Sequence, residues 1–316
     1  MRTWRAAEHL RVSGIGLLLM GLAAGAVAQA TDGPPAAERA PITLVEVTPS
    51  VVMARHDYGS NITCFALDGG LVFVDAGLST EVAARFRRDM ERRFSKRAAV
   101  LLLTHAHVDH IFGMGAFSDV PVVASAKARE VFEKQLEGAL DPEQIASWAS
   151  VFPGFEETVK TAKPFLPTQW VEDEAPVGPG GEIVFRVTGG HSLGDAHAYF
   201  AKEGVIAAGD LLQTERHPYF GDPATDLGAW IATLDSWAAM GVKKLCPGHG
   251  PAVGADYVPR VSTFFKETIA AVKKLKAEGV PVEQAIVHPS LPAGYWGDEK
   301  KPGWYDYCLA KLYQSL

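Results

Sequence analysis

The sequence predicts an α/β fold in which helices pack outside a sheet core. Two observations carry this. Strand-length apolar runs alternate with helix-length amphipathic segments through residues 42–316. One run, Ala98–Leu103, is apolar throughout, as suits a strand covered on both faces. With 316 residues, 47% hydrophobic and 21% charged, the chain can bury one large core or two modest ones.

The elements follow in order. Residues 1–30 read as a secretory signal peptide. Arg2, Arg5 and Arg11 precede a short apolar run, Gly14–Ala24, and the small-x-small pattern Ala26-Val27-Ala28 marks cleavage near Ala28 or Ala30. The run is too short and glycine-rich for a membrane span, and no cysteine closely follows it. The expectation is a periplasmic or secreted protein with no stable membrane anchor. Residues 31–41, rich in Pro and Ala, read as a linker.

The mature domain opens with strands near 42–47, 51–56, 61–67 and 71–75, with a hairpin turn at Asp68-Gly69-Gly70. Ser79 can cap a helix over 80–94, with Arg85, Arg87, Arg88 and Asp89 facing water. Residues 125–165 carry a helical insertion broken at Asp141-Pro142 and Pro153-Gly154. Strands return near 182–187, 196–200 and 204–208. A helix over 226–240, a short strand at 243–246, a loop at 247–251 and helices over 258–278 and 303–314 complete the chain. Gly70–Asp75 and Gly204–Asp210 echo each other as buried strands leading to an aspartate.

A net charge of -7 builds no broad basic surface, so nucleic acid is not an expected partner. The three cysteines, Cys64, Cys246 and Cys308, are widely spaced and do not suggest a disulfide framework. Cys64 and Cys246 lie in apolar stretches and read as small core residues.

The densest chemistry lies in Thr104-His105-Ala106-His107-Val108-Asp109-His110, directly after the buried strand. Three imidazoles and a carboxylate at the mouth of such a strand are costly unless a metal or a polar network satisfies them. They are also ligands that zinc takes where a position stays open for water. His105 and His107, two apart, project to one side of extended backbone and can grip one metal. Asp109 and His110 turn past it and can reach a second. His191, Asp210 and His249 follow in glycine-rich turns after strands, in Gly190-His191-Ser192-Leu193-Gly194, Gly209-Asp210 and Pro247-Gly248-His249-Gly250.

On these elements, taken in this order, the chain resembles a metallo-β-lactamase superfamily hydrolase, with a ligand set like that of glyoxalase II. The resemblance covers most of residues 42–251. It implies an αββα sandwich, two mixed β-sheets flanked by helices, with the site at one edge. It implies two divalent metal ions, zinc first, with iron or manganese as alternatives. His105, His107 and His191 would hold one ion, Asp109, His110 and His249 the other, and Asp210 would bridge them.

Departures narrow the activity. The familiar zinc β-lactamases carry a cysteine where Asp210 stands and a lysine soon after it, whereas Leu211-Leu212-Gln213 follows here. Flavo-diiron reductases carry glutamate at the position of His107. Persulfide dioxygenases and glyoxalase II share the whole pattern, although the basic glutathione-binding tail of the latter is not evident after residue 251.

The expected chemistry is hydrolysis of an ester, lactone, thioester or amide in a small-molecule substrate by a metal-bound hydroxide. Two ions about 3.5–4 Å apart can share and activate it. Asp109 is the candidate catalytic group, placed to ligate, orient the nucleophile and carry a proton. Competing readings are a mononuclear iron persulfide dioxygenase, a β-lactamase and an accessory protein of a periplasmic quinoprotein system. His56 and Tyr58, in a hairpin flanking the site, and His217 are candidate rim residues. Trp148 joins them if the aromatic-rich insertion forms a cap over the metals; ordinary helical core is the alternative. Asp75 is expected behind the ligands, hydrogen-bonded to them. Oligomeric state is not addressed by the sequence.

Overall fold

The structure is a computed structural model that describes residues 42–57, 59–138, 140–152, 154–293 and 303–316. The expected signal peptide and linker, and Tyr58, lie outside the described residues.

Two sheets stack face to face. The first runs in the order β1 (Ile42–Thr48), β2 (Val51–His56), β3 (Ile62–Leu67), β4 (Gly70–Val74), β5 (Ala98–Leu102), β6 (Val122–Ser125), β7 (Gln169–Val171). It is antiparallel through β4 and parallel from β4 to β7. The second contains β8 (Glu174–Val177), β9 (Ile183–Val187), β10 (Ala196–Phe200), β11 (Val205–Gln213), β12 (Lys244–His249) and β13 (Val253–Gly254). Only β11 and β12 pair in parallel there.

Side-chain alternation explains the layering. Val51, Met53, Phe65, Val72, Val74 and Leu102 point between the sheets, against Phe185, Ala198, Phe200 and Val205. Their neighbours Val52, Ala54, Cys64, Leu71, Phe73 and Leu101 point the other way, under helices. Both faces of these strands are therefore apolar, and the strands are legible as continuous runs. Phe65 and Phe200 meet edge to face across the sandwich, 5.9 Å apart.

Outside the first sheet lie α1 (Thr80–Phe94), α2 (Val108–Ile111), α3 (Arg129–Glu137), α4 (Pro142–Val151) and α5 (Phe155–Val159). Outside the second lie α6 (Leu227–Trp237), α7 (Val258–Ala277), α8 (Val282–Ala285) and α9 (Gly303–Ser315). Ser79 caps α1 by accepting the Val82 amide, and Asp226 caps α6 by accepting that of Ala229. The arrangement is the two-sheet, helix-flanked α/β sandwich expected from the resemblance.

Several details depart from expectation. β11 does not stop at residue 208 but continues through Gly209-Asp210 to Gln213, with an irregular register against β12. β12 runs through the expected loop to His249, because its parallel partner carries it forward. The short strands β6, β7 and β8 carried no readable signal. Arg87 does not face water: its guanidinium pairs with Asp119 and Glu91. The echo between Gly70–Asp75 and Gly204–Asp210 has a structural counterpart. β4 and β11 each pair antiparallel on one side and parallel on the other. The three cysteines are buried and free.

The insertion aromatics are core. Phe132 and Phe155 are fully buried, while Trp148, Phe152 and Phe165 pack against the helix-side cluster of the first sheet. Trp148 is half-buried and packs against this cluster, in keeping with the helical-core alternative. Aromatic side chains at helical spacing bury against the nearest apolar face.

His197 on β10 is fully buried, its ring edge-on to Trp237 at 5.4 Å. Burial, aided by Arg186, lowers its pKa to about 3. The folded state rejects a proton that the unfolded chain takes up near pH 6.5. Stability is therefore full above pH 6.5 and falls as pH drops towards 3. His197→Leu is expected to remove a loss of about 2 kcal/mol between pH 6.5 and pH 5. Denaturant melts of both proteins at the two pH values measure this.

Candidate metal centre

All seven sequence-predicted ligand candidates meet at one edge of the sandwich. His105, His107, Asp109 and His110 come from the turn after β5 and from α2. His191 comes from the turn between β9 and β10, Asp210 from β11 and His249 from the end of β12. Three overlapping groups form, His105/His107/His191, His105/His110/Asp210 and Asp109/His110/His249, each with its ligand atoms within 4.8 Å of one another.

The first group is tight. His107 Nδ1 lies 3.1 Å from His105 Nε2 and 3.0 Å from His191 Nε2. In the other, His249 Nε2 lies 3.1 Å from Asp109 Oδ2, and His110 Nε2 lies 3.8 Å from it. Asp210 spans the two. Its Oδ1 is 3.2 Å from His110 Nε2 and 3.5 Å from His249 Nε2, and its Oδ2 is 3.6 Å from His191 Nε2. Gln213 donates to Oδ2 at 3.0 Å.

The far side of four of these rings is already committed. His110 Nδ1 donates to Asp75 Oδ2 at 2.8 Å, and His191 Nδ1 to the Tyr219 carbonyl at 2.8 Å. His107 donates from Nε2 to Asp222 at 3.2 Å. Thr104 gives its hydroxyl to Asp75 at 2.9 Å, which leaves its oxygen to accept from His105 Nδ1 at 3.0 Å. Each bond fixes a tautomer, so His105 Nε2, His107 Nδ1 and His191 Nε2 turn lone pairs towards one another. Three converging lone pairs repel unless a cation sits among them, either a metal ion or a proton on His107, where burial opposes the charge but Asp222 prevails and raises the pKa. His110 Nε2 and Asp210 Oδ1 are buried and make no hydrogen bond. The donor set therefore fits divalent metal.

Charge follows the same map. Burial, with the neighbouring His110, His107 and His191, drives the His105 pKa well down. Burial lowers His191 to about 4. Burial works against the charge on His110 too, but Asp210, Asp109 and Asp75 override it and raise that group well above its ordinary value. Burial opposes the charged forms of Asp109 and Asp210 as well. The adjacent His249 and His110 prevail and hold both carboxyls below the usual range.

Supporting residues complete the site. Asp75, expected behind the ligands, also accepts the Thr104 amide at 2.8 Å. Asn61 on the β2–β3 connection donates to the Pro247 and Gly250 carbonyls, both at 2.9 Å, and so pins the loop around His249. Ser60 donates to the Asp109 carbonyl at 2.7 Å. Gly248 has no room for a side chain: a Cβ there would overlap Asp210 Oδ1. Asp222 and Asn61 were not found from sequence, because neither belongs to a local pattern.

Of the proposed rim residues, His56 is half-buried and feels the charges of His249 and Asp109. His217 is buried at 2% exposure, its ring 4.3 Å from that of Tyr305. It is part of the packing behind the site and not its rim. Leu193, two residues after His191, is 45% exposed, and the His107 and Asp222 side chains are 24% and 19% exposed.

The sequence profile of the metallo-beta-lactamase superfamily matches residues 57–249, a span that contains every one of these ligand candidates. The chain belongs to this superfamily. A probable metallo-hydrolase, M6_Spy0554, of Streptococcus pyogenes serotype M6 is 23% identical over 221 residues, covering 67% of this chain and 88% of the relative. Among solved structures, a metallo-beta-lactamase from Pontibacter korlensis superposes with a TM-score of 0.55 at 17% identity, over 72% of this chain and 99% of that one. The inverting sec-alkylsulfatase Pisa1 from Pseudomonas sp. superposes with a TM-score of 0.66 at 18% identity, over 87% of this chain. This chain spans half the length of that sulfatase. The superfamily member is a hydrolase of the metal-dependent kind.

Proposed function

We propose that the chain is an exported two-zinc hydrolase that cleaves an ester, lactone, thioester or amide in a small molecule. The observation that carries this is Asp210, whose two carboxylate oxygens face different ligand groups. His105, His107 and His191 would hold one ion, and Asp109, His110 and His249 the other, with Asp210 common to both. When bound, such ions acidify water to a nucleophile near neutral pH and polarise the bond to be cleaved.

The chain's own residues supply the rest. Asp75, Thr104, Tyr219 and Asp222 keep the imidazoles in their metal-binding tautomers. Asp109, held ionised by His110 and His249, would ligate through Oδ2, orient the nucleophile and pass a proton to the leaving group. Burial of most of the ligand set would keep bulk water from it, with His107 and His249 its more exposed members. His56, half-buried, and Leu193, exposed two residues after His191, would contact substrate.

A second reading has a specific support. The likeness to the sec-alkylsulfatase extends over 87% of this chain, against 72% for the lactamase. A sulfate ester therefore belongs in the test. The mature chain is to be offered p-nitrophenyl acetate, a thioester, a lactone, nitrocefin and an alkyl sulfate, before and after chelation. The expected result is acyl cleavage that chelation abolishes and zinc restores. Cleavage of the alkyl sulfate alone would replace the acyl reading. Activity insensitive to chelation would refute both. Export is tested by sequencing the N-terminus of the protein recovered from a periplasmic fraction.

A further inference from the structure

We infer that the segment Arg216–Asp222, clamped by the last helix, is a positioning element for the metal centre, with Asp222 as the positioning residue for His107. This rests on the metal-dependent function proposed above. The segment links β11 to α6 and touches two of the three imidazoles of the first ligand group. The Tyr219 carbonyl accepts from His191 Nδ1 at 2.8 Å, and Asp222 accepts from His107 Nε2 at 3.2 Å. Both bonds select which ring nitrogen is left to face a metal.

A surface loop alone would be a poor instrument for this, and here the loop is held. α9 lies behind it along its length. The Tyr219 ring meets Trp304 at 5.6 Å, His217 meets Tyr305 at 4.3 Å, and Phe220 meets Tyr305 at 5.7 Å. Lys311 donates to the Gly221 carbonyl at 3.2 Å, one residue before Asp222. Gly221 itself is wedged between two rings: a Cβ there would lie 2.9 Å from Tyr307 and 3.0 Å from Tyr219. On the other side, Thr225 donates to the His191 carbonyl at 2.8 Å, and the Asp226 amide to that of Gly190 at 2.9 Å.

The chain of contact thus runs from α9, through the loop, to the imidazoles at 107 and 191. Packing alone would need the aromatic rings but not a carboxylate aimed at a ring nitrogen. The C-terminal helix lies beyond the span of the family match, which ends at residue 249.

The test uses the full mature chain and zinc. Competition with a chelator reads each binding step, and nitrogen NMR of the imidazoles reads the tautomers. Asp222→Ala is expected to weaken one step 10–100-fold and leave the other unchanged, about the scale of losing such an outer partner. Asp222→Asn should recover part of the loss, because its amide oxygen still accepts. Lys311→Met should weaken the same step by less. Asp222→Ala also strands the Ala224 amide, which Asp222 accepts at 2.8 Å, so the metal-free melting temperature should fall by only about 2–4 °C. Wild-type binding in Asp222→Ala would overturn the inference, and so would equal loss in both steps together with a larger fall in the metal-free melting temperature. A wild-type chain that takes up no zinc would instead refute the proposed function.

Discussion

Asp210→Asn is expected to lower zinc content from two ions to one or fewer and to reduce kcat/KM about 10²–10³-fold. That is about 3–4 kcal/mol, the scale of removing one partner from a buried charge cluster. The reason lies in what the carboxylate faces. Its oxygens lie 3.2 Å from His110, 3.5 Å from His249 and 3.6 Å from His191, so one buried carboxylate faces both ligand groups at once. An amide keeps the shape but loses the charge that two cations would share. Metal analysis and kinetics on the variant check both halves. Unchanged zinc content would show that the ions do not share this residue.

Asp75→Ala is expected to be the most damaging change to the fold near the site. Asp75 receives the Thr104 amide, the Thr104 hydroxyl and His110 Nδ1, all while 2% exposed. Its backbone has φ +60°, a conformation that aspartate and asparagine adopt more readily than alanine. Removing the carboxylate strands three buried donors and adds backbone strain. We expect a loss of about 3–5 kcal/mol in the metal-free protein, read by chemical denaturation. Asp75→Asn should lose about 1–3 kcal/mol, because it keeps the backbone preference and one acceptor. Equal stability of wild type and Asp75→Ala would remove Asp75 as the anchor of the histidine turn.

These two aspartates explain the echo in the sequence. Each is carried by a central strand of its own sheet, and His110 lies between them, Nδ1 to Asp75 and Nε2 to Asp210. The sandwich brings the two strand ends together because the layer between the sheets is filled by their inward side chains.

Much of this was legible from residues alone. Strands such as β4 and β5 are apolar on both faces, so they stand out as runs. The ligand candidates could be gathered because histidines and aspartates in glycine-rich turns form short, dense patterns. What stayed hidden has physical causes. β7 and β8 close the edges of their sheets, where a strand needs pairing on one side and less burial, so Gln169–Val171 and Glu174–Val177 carry little pattern. Asp222 and Asn61 act through the fold: one reaches a histidine far back along the chain, and the other ties a hairpin to the turn around His249. The pairing of Arg87 with Asp119 likewise depends on where a distant turn lands.

We propose that His105, His107, Asp109, His110, His191, Asp210 and His249 hold metal and that hydrolysis depends on it. The most direct test is a crystal structure of the zinc-loaded mature chain with anomalous scattering recorded at the zinc edge. Two anomalous peaks are predicted, one among His105, His107 and His191 and one among Asp109, His110 and His249, with Asp210 reaching both. Zinc elsewhere on the chain, or an active enzyme with no peak among these residues, would contradict it.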